Sequence, residues 1–451
     1  MKVVGLKVRP VNFKTLLSCN IGKNINDHFT ASITGYVSEE EADKVLKSGQ
    51  NANISISAVM EDNTEVLLFQ GMRTNVTIRY DGETQVLTVC AVSLTALLDG
   101  RSWIRTFQGI NQTYRNIVDE TLKNSQRTGI IYTAGKTEKP GRIVVQYNES
   151  DWIFYKRLAK ELGTVIVADC NNTFPCFYFG MPERKKIKEV SYTDIQIRQV
   201  ADMGSVKEEQ MLISREYLEL CDVVRIGDRN WRVYGVIMTL DKGETIFQYS
   251  LELETYKRIS CQPENYNVRG VSIFGKVNEV KDGLVRVSLQ CDLDQDWGNG
   301  FWYDYATIYS APDGTGWYCM PEPGEGIRLY FPDAAEAHSY VISGVHREDD
   351  VSRENPDNKS FKTKHGKEIR FEPDEIVLTN NKGLSIRLND QKGIFINSNS
   401  GISIKSEAFV DIRSGSKISI YAKEGVSLQQ NRNMLLVKDG IHEMGRNVEH
   451  R

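Results

Sequence analysis

From Ser385 to Gly440 apolar residues return every eight positions. Seven units follow without a gap, beginning at Ser385, Gly393, Gly401, Phe409, Lys417, Gly425 and Asn433. Their second positions are Ile386, Ile394, Ile402, Val410, Ile418, Val426 and Met434. Their fourth positions are Leu388, Ile396, Ile404, Ile412, Ile420, Leu428 and Leu436. Residues two apart lie on the same face of a strand. The last four positions of each unit are mostly Asn, Ser, Asp, Lys, Gln and Gly, which favour turns. Each octad therefore predicts one short strand and one turn. Such a unit cannot bury its own apolar face, so stacked copies or other chains must cover it. An antiparallel meander of short hairpins is the alternative that the pattern leaves open.

Upstream, residues 1–100 alternate as strands. Ile54 to Val59 and Val76 to Tyr80 are examples, and Asp81-Gly82 before Val86 to Val89 predicts a hairpin. Ser38-Glu39-Glu40-Glu41 is a capping box that starts a helix, and Gly49 is its expected stop. Residues 101–180 mix helix and strand. Tyr114 to Lys123 carries Ile117, Val118 and Leu122. A second helix is capped by Ser150 and ended by Gly163, with Trp152, Tyr155, Ala159 and Leu162 as a core stripe. Residues 181–262 return to strands, with a turn around Asp241-Lys242-Gly243. A boundary is expected near Gln262-Pro263. Residues 263–347 then form a compact all-β unit whose five or so strands suit an OB-fold barrel. Asp349 to Lys364 reads as a linker, and 348–384 as the entry to the octads at 385–451.

Composition narrows the function classes. A chain of 451 residues suggests about three domains. A net charge of −4 gives no electrostatic case for nucleic-acid binding. No apolar run approaches the ~18–20 residues that span a bilayer. The start Met1-Lys2-Val3-Val4-Gly5-Leu6-Lys7 lacks a signal-peptide core, so synthesis in the cytoplasm is expected. The cysteines at 19, 90, 170, 176, 221, 261, 291 and 319 form no CxxC and read as reduced thiols.

Three segments and a fourth short one resemble the VgrG-type spike proteins of contractile injection systems, including the late control D-like hub-spikes of contractile phages. Arg105-Thr106-Phe107-Gln108 and Tyr114-Arg115-Asn116-Ile117-Val118 resemble a hub-region pattern of that family. Gln146-Tyr147-Asn148-Glu149-Ser150-Asp151-Trp152, with Arg157-Leu158-Ala159 and Gly163, is similar to a second. Gly314-Thr315-Gly316-Trp317-Tyr318 through Pro321, Gly324-Glu325-Gly326 and Ser343-Gly344-Val345 resembles its OB-domain stretch. Thr363 to Phe371 resembles the entry into its β-helix. The resemblance implies a mainly β fold. Residues 1–100 and 181–262 would be two hub barrels and 101–180 a mixed α/β region. An OB-fold collar and an intertwined trimeric β-helix needle would follow. Three chains would offer six similar domains to a hexameric tube. The partners implied are two further copies of this chain, the inner tube protein, baseplate proteins and the target envelope. A PAAR-type tip cap would be a further partner.

Candidate chemistry is sparse. Asp292-Leu293-Asp294-Gln295-Asp296 opens like a calcium loop, but Trp297 and Tyr303 stand where an EF-hand needs Gly and Glu. A solvated barrel loop is the simpler reading. GxSxG, HExxH and P-loop motifs are absent, so no catalytic residues and no resident cofactor are expected. Counting onward by eight places His442 and His450 at position two. In a trimer each would bring three imidazoles to the axis, and imidazole suits iron or zinc. The alternative is that the last residues leave the prism and both histidines are solvated. The expected function is a non-enzymatic, homotrimeric spike and hub that joins a tube to an envelope-piercing needle. It would be assembled into a phage-tail-like particle or secretion apparatus. A β-helical tail fibre that binds surface glycans is the alternative, and a cell-wall hydrolase on a spike scaffold is a third.

Overall fold

The computed structural model describes residues 2–49, 52–82, 84–123, 127–184, 186–202, 205–256, 258, 265–292, 300–343 and 355–445. It divides into two compact units, Met1–His346 and Arg347–Arg451, and is mainly β.

In the first unit, ten antiparallel strands follow one path. Their order is Val3–Arg9, Asn53–Met60, Glu65–Asp81, Thr84–Ser93, Thr30–Val37, Thr15–Asn24, Arg229–Asp241, Glu244–Leu253, Ser205–Ser214 and Asp194–Asp202. A bridge between Lys2 and Glu216 brings the first strand to the chain just past the ninth, Ser205–Ser214, so the sheet curls into a nearly closed barrel. The N-terminal and C-terminal halves of this region meet edge to edge, through Thr15–Asn24 and Arg229–Asp241. Period-two patterning explains the curl. In Thr30–Val37 every second residue is buried, and Ile33, Ile56, Phe69, Val89, Trp231, Met238 and Tyr249 fill one core. Lys242 and Gly243 both take positive φ, 50° and 86°, as the tight hairpin between Arg229–Asp241 and Glu244–Leu253 requires.

Among the described residues three α-helices lie on this unit. In α1, Glu39–Lys47, the Ser38 hydroxyl accepts from the Glu41 amide at 3.2 Å. The expected reciprocal half of the box is not made: Glu41 instead accepts from the Asn12 amide at 3.1 Å. Helix α2, Tyr114–Leu122, carries a full capping box between Thr113 and Asn116 that the sequence reading did not anticipate. Helix α3, Asp151–Glu161, is capped by Ser150 and buries Trp152, Tyr155 and Ala159 as expected, with Phe154 and Leu158 added.

The same unit holds a second, smaller barrel. Its strand order is Tyr303–Asp304, Leu284–Leu289, Ser272–Lys281, Gly326–Tyr330 and Tyr340–Ser343. A bridge from Tyr305 to Val341, with the Ala306 amide donating to the Val341 carbonyl at 2.8 Å, closes the ring. Five strands closed in this way agree with the OB-type expectation. Ile143 and Val145, from the segment leading into α3, complete its core beside Val277, Val287 and Leu329.

The second unit is a meander. Lys359–Lys362, Glu368–Glu372, Glu375–Thr379, Ser385–Asn389 and Gly393–Asn397 pair antiparallel in chain order. Val426–Gln430, Asn433–Val437 and Ile441–Met444 form a second antiparallel sheet. Residues 398–425 form no strand. One expectation changes. Asp349 to Lys364 is not all linker, because Lys359–Lys362 is a strand; residues 349–354 lie outside the described residues. Two pairs of consecutive octads form hairpins within the single chain, Ser385–Asn389 with Gly393–Asn397 and Val426–Gln430 with Asn433–Val437. The reason is local: a three-residue loop, Asp390–Lys392, lets the second octad fold back onto the first, the nearest available edge.

Candidate functional site: an apolar sheet face and a buried ionic joint

In the sheet Lys359–Asn397, directly paired residues share a face. One row is Phe361, Ile369, Leu378, Ile386 and Ile396; the other is Lys359, Phe371, Ile376, Leu388 and Ile394. Nine of these ten side chains are apolar, and they are 37–71% exposed. Soluble chains seldom expose a contiguous apolar surface of this extent unless something covers it. The opposite face is mostly polar, with Val377 buried and Phe395 exposed in the row that also holds Arg370 and Arg387. Arg387 donates to both oxygens of Glu375, at 2.5 and 3.1 Å. Arg370 donates to Glu372 at 2.5 Å, and Asn381 to Glu368 at 2.7 Å. The guanidinium of Arg387 holds the Glu375 carboxyl below its usual range.

Four of the octad positions, Ile386, Leu388, Ile394 and Ile396, belong to this face. Sequence reasoning missed Phe361, Ile369, Phe371, Ile376 and Leu378. Their alternation is visible, but loops of five, two, five and three residues break the eight-residue count. Further along, Ile402, Ile404, Val410, Ile412, Ile418 and Ile420 are all more than half exposed and unpaired in strands. Val426, Leu428, Met434 and Leu436 return to strands, with a change of register. A two-residue turn, Asn431-Arg432, pairs Val426 with Val437 and Leu428 with Leu435. Met434 and Leu436 therefore lie on the other face from Val426 and Leu428.

His442 is exposed on Ile441–Met444, and its Nε2 lies 3.0 Å from the Lys438 carbonyl oxygen. His450 lies outside the described residues, as do Asp294 and Asp296 of the calcium-like run and the expected boundary at Gln262-Pro263. Among the described residues no cluster of His, Cys, Asp or Glu could hold a metal ion. The seven described cysteines are free thiols. Burial pushes the Cys19 and Cys221 thiols up to about 12, which leaves them inert.

The first unit has its own dense polar centre, where the small barrel meets α3. Arg157 donates to both oxygens of Glu149, at 3.0 and 2.9 Å, and to Glu336 at 3.1 Å. Glu336 also accepts from Asn265 at 3.1 Å and from the Val145 amide at 3.2 Å. Arg142 donates to Glu161 at 2.7 Å and approaches Glu336 at 3.4 Å. Three carboxylates thus face two guanidinium groups in a buried site. Burial pushes the Glu336 carboxyl above its usual range, although Arg157 and Arg142 pull it back. A second tie lies at Asp292, which accepts from Thr106 and, at 2.8 Å, from Gln108. Tyr303 of the small barrel donates to Gln108 at 2.8 Å. Inside the large barrel's mixed region, Arg105 donates to Asp151 at 2.7 Å. Arg105, Gln108, Glu149, Asp151 and Arg157 are the motif residues that carried the family resemblance.

A model of the phage tail baseplate hub family matches residues 23–172. Among curated protein sequences none matches the chain. Several solved structures share its fold. An Escherichia coli component of the type VI secretion system, described as similar to the bacteriophage T4 tail proteins gp27 and gp5, has 13% identity. It covers 75% of this chain and 99% of its own, with a TM-score of 0.50. The lidded Francisella PdpA–VgrG complex has 9% identity and a TM-score of 0.58, covering 87% of this chain and 80% of that one. Its lidless form has 8% identity, with a TM-score of 0.56 over 84% and 93%. The chain therefore shares its fold with this type VI secretion component and with the VgrG-containing complexes. Over residues 23–172 the chain is also similar in sequence to the phage tail baseplate hub family.

Proposed function

We propose that this chain is a homotrimeric hub and spike of a contractile injection apparatus. The observation that carries this reading is the apolar face of Lys359–Asn397 continued by the exposed octad pairs. A lone chain leaves these side chains in water, and copies of the same chain supply the matching pattern. Residues 1–262 join the inner tube and baseplate, the small barrel forms a collar, and the octads intertwine as a needle. Load passes from tube to needle during contraction, and the buried ionic joint stiffens the step from hub to collar. The role is mechanical, with no reaction catalysed, and the particle acts at a target envelope. A separate PAAR-type cap can sit on the tip, or His442 and His450 can gather iron or zinc on the trimer axis.

A second reading has one observation in its favour. The hairpin around Ala311–Thr315 exposes Ile308, Tyr309, Trp317 and Tyr318, a surface suited to stacking on sugars. A glycan-binding fibre would use it. Binding assays separate the two: a hub binds tube protein, whereas a fibre binds glycans and not tube protein.

A further inference from the structure

Seven octads with apolar residues at every second and fourth position pose a register problem. Copies slipped by one unit still match in six of seven layers, so the octads alone do not fix the alignment. The sheet Lys359–Asn397 is not degenerate in this way. Its loops differ in length, its aromatic residues Phe361 and Phe371 sit at one end, and Lys359 closes that end of the apolar face. A slip of one strand would lay the Lys359 ammonium of one copy against the Ile369–Phe371 row of the next. Burying an unpaired charge there is unfavourable. The loop Asn380–Leu384 is also held in one shape. The Asn380 side chain accepts from the Leu384 amide at 3.0 Å, and Asn399 donates to the Lys382 carbonyl at 2.9 Å. At the other end, Val426–Met444 has no uniformly apolar face, because its register divides the apolar residues between both sides.

We propose that the apolar face of Lys359–Asn397 is the surface on which copies of this chain first align, and that it sets the register of all seven octads. This rests on the self-assembly reading given above. The occupant is a second copy of the chain for two reasons. The face runs directly into the octad stripe, sharing Ile386, Leu388, Ile394 and Ile396 with it. The opposite face has its ion pairs closed within one chain and exposes Phe395 beside them, so the nine-residue apolar side holds most of the apolar surface to be covered.

Two chains of different length test the idea. One is full-length and carries Ile420→Cys. The other lacks two octads, Gly401–Ser416, and carries Leu436→Cys. The two are co-expressed and oxidised, and disulfides are located by peptide mapping. If alignment starts at Lys359–Asn397, position 436 of the shortened chain comes level with position 420 of the full one, and a 420–436 disulfide forms. If alignment starts at the C-terminal sheet, those positions stand two octads apart, at least about 10 Å, beyond disulfide reach. A full-length Leu436→Cys partner would then give the 436–436 product instead, which would overturn the proposal. Segregation of the two lengths into separate assemblies would overturn it too, because both ends would then have to match. Two full-length Leu436→Cys chains serve as the control. If they form no interchain disulfide, the self-assembly reading itself fails.

Discussion

Arg157 on α3 donates to Glu149 of its own region and, at 3.1 Å, to Glu336 of the small barrel, 179 positions along the chain. Arg157 thus serves both sides of the joint, and Arg142, between Glu161 and Glu336, supports it. Replacing Arg157 with Ala leaves buried carboxylates facing each other. Breaking a buried pair in this way costs about 3–5 kcal/mol. Denaturant unfolding of the Arg157→Ala protein should show a loss of that order; a loss under about 1 kcal/mol would mean the joint contributes little.

The same cluster makes stability depend on pH. The Glu336 carboxyl is raised in the folded state, so the folded chain holds more protons than the unfolded one above the ordinary glutamate range. Its contribution is fully present below the unfolded value near 4.5 and is lost as pH rises through the folded value. Glu336→Gln keeps the donors partly satisfied and removes the titration. Its stability relative to the parent should improve as pH rises from 4.5, measured by unfolding at a series of pH values. A difference that does not change with pH would contradict the raised carboxyl.

The octads were legible in the sequence because their period is fixed; the sheet before them was not. Glu368-Ile369-Arg370-Phe371-Glu372 alternates as plainly as any octad, yet the loops after Phe371 and Leu378 have different lengths. The joint was legible only as motifs. Glu149 and Arg157 stood out through family likeness, but Glu336 lies in a different barrel and nothing near it in sequence announces an arginine partner. The helices were read well where the caps lie in adjacent residues, as at Ser150. They were read poorly where a partner came from elsewhere, as when Asn12 takes the Glu41 carboxylate.

Charges on the apolar stripe separate assembly from folding. Ile404 and Ile412 are exposed in one chain, so Asp at either position should leave the first unit folded. In the assembly each substitution buries several like charges, costing several kcal/mol each. Sedimentation should show loss of the oligomer while circular dichroism of the hub strands persists. An unchanged, heat-resistant oligomer would refute a buried prism.

The tip histidines are tested by metal analysis. An axial imidazole site predicts at least one equivalent of iron or zinc per trimer, abolished by His442→Ala. Less than one equivalent leaves His442 bonded to its own Lys438 carbonyl and solvated.

The central claim is that copies of this chain cover one another's octad faces. Its most direct test is the mass of the purified full-length protein in solution, with low-resolution images of the same sample. The account predicts three chains per particle, with a wide cup and a thin needle. A monodisperse monomer at micromolar concentration would contradict it.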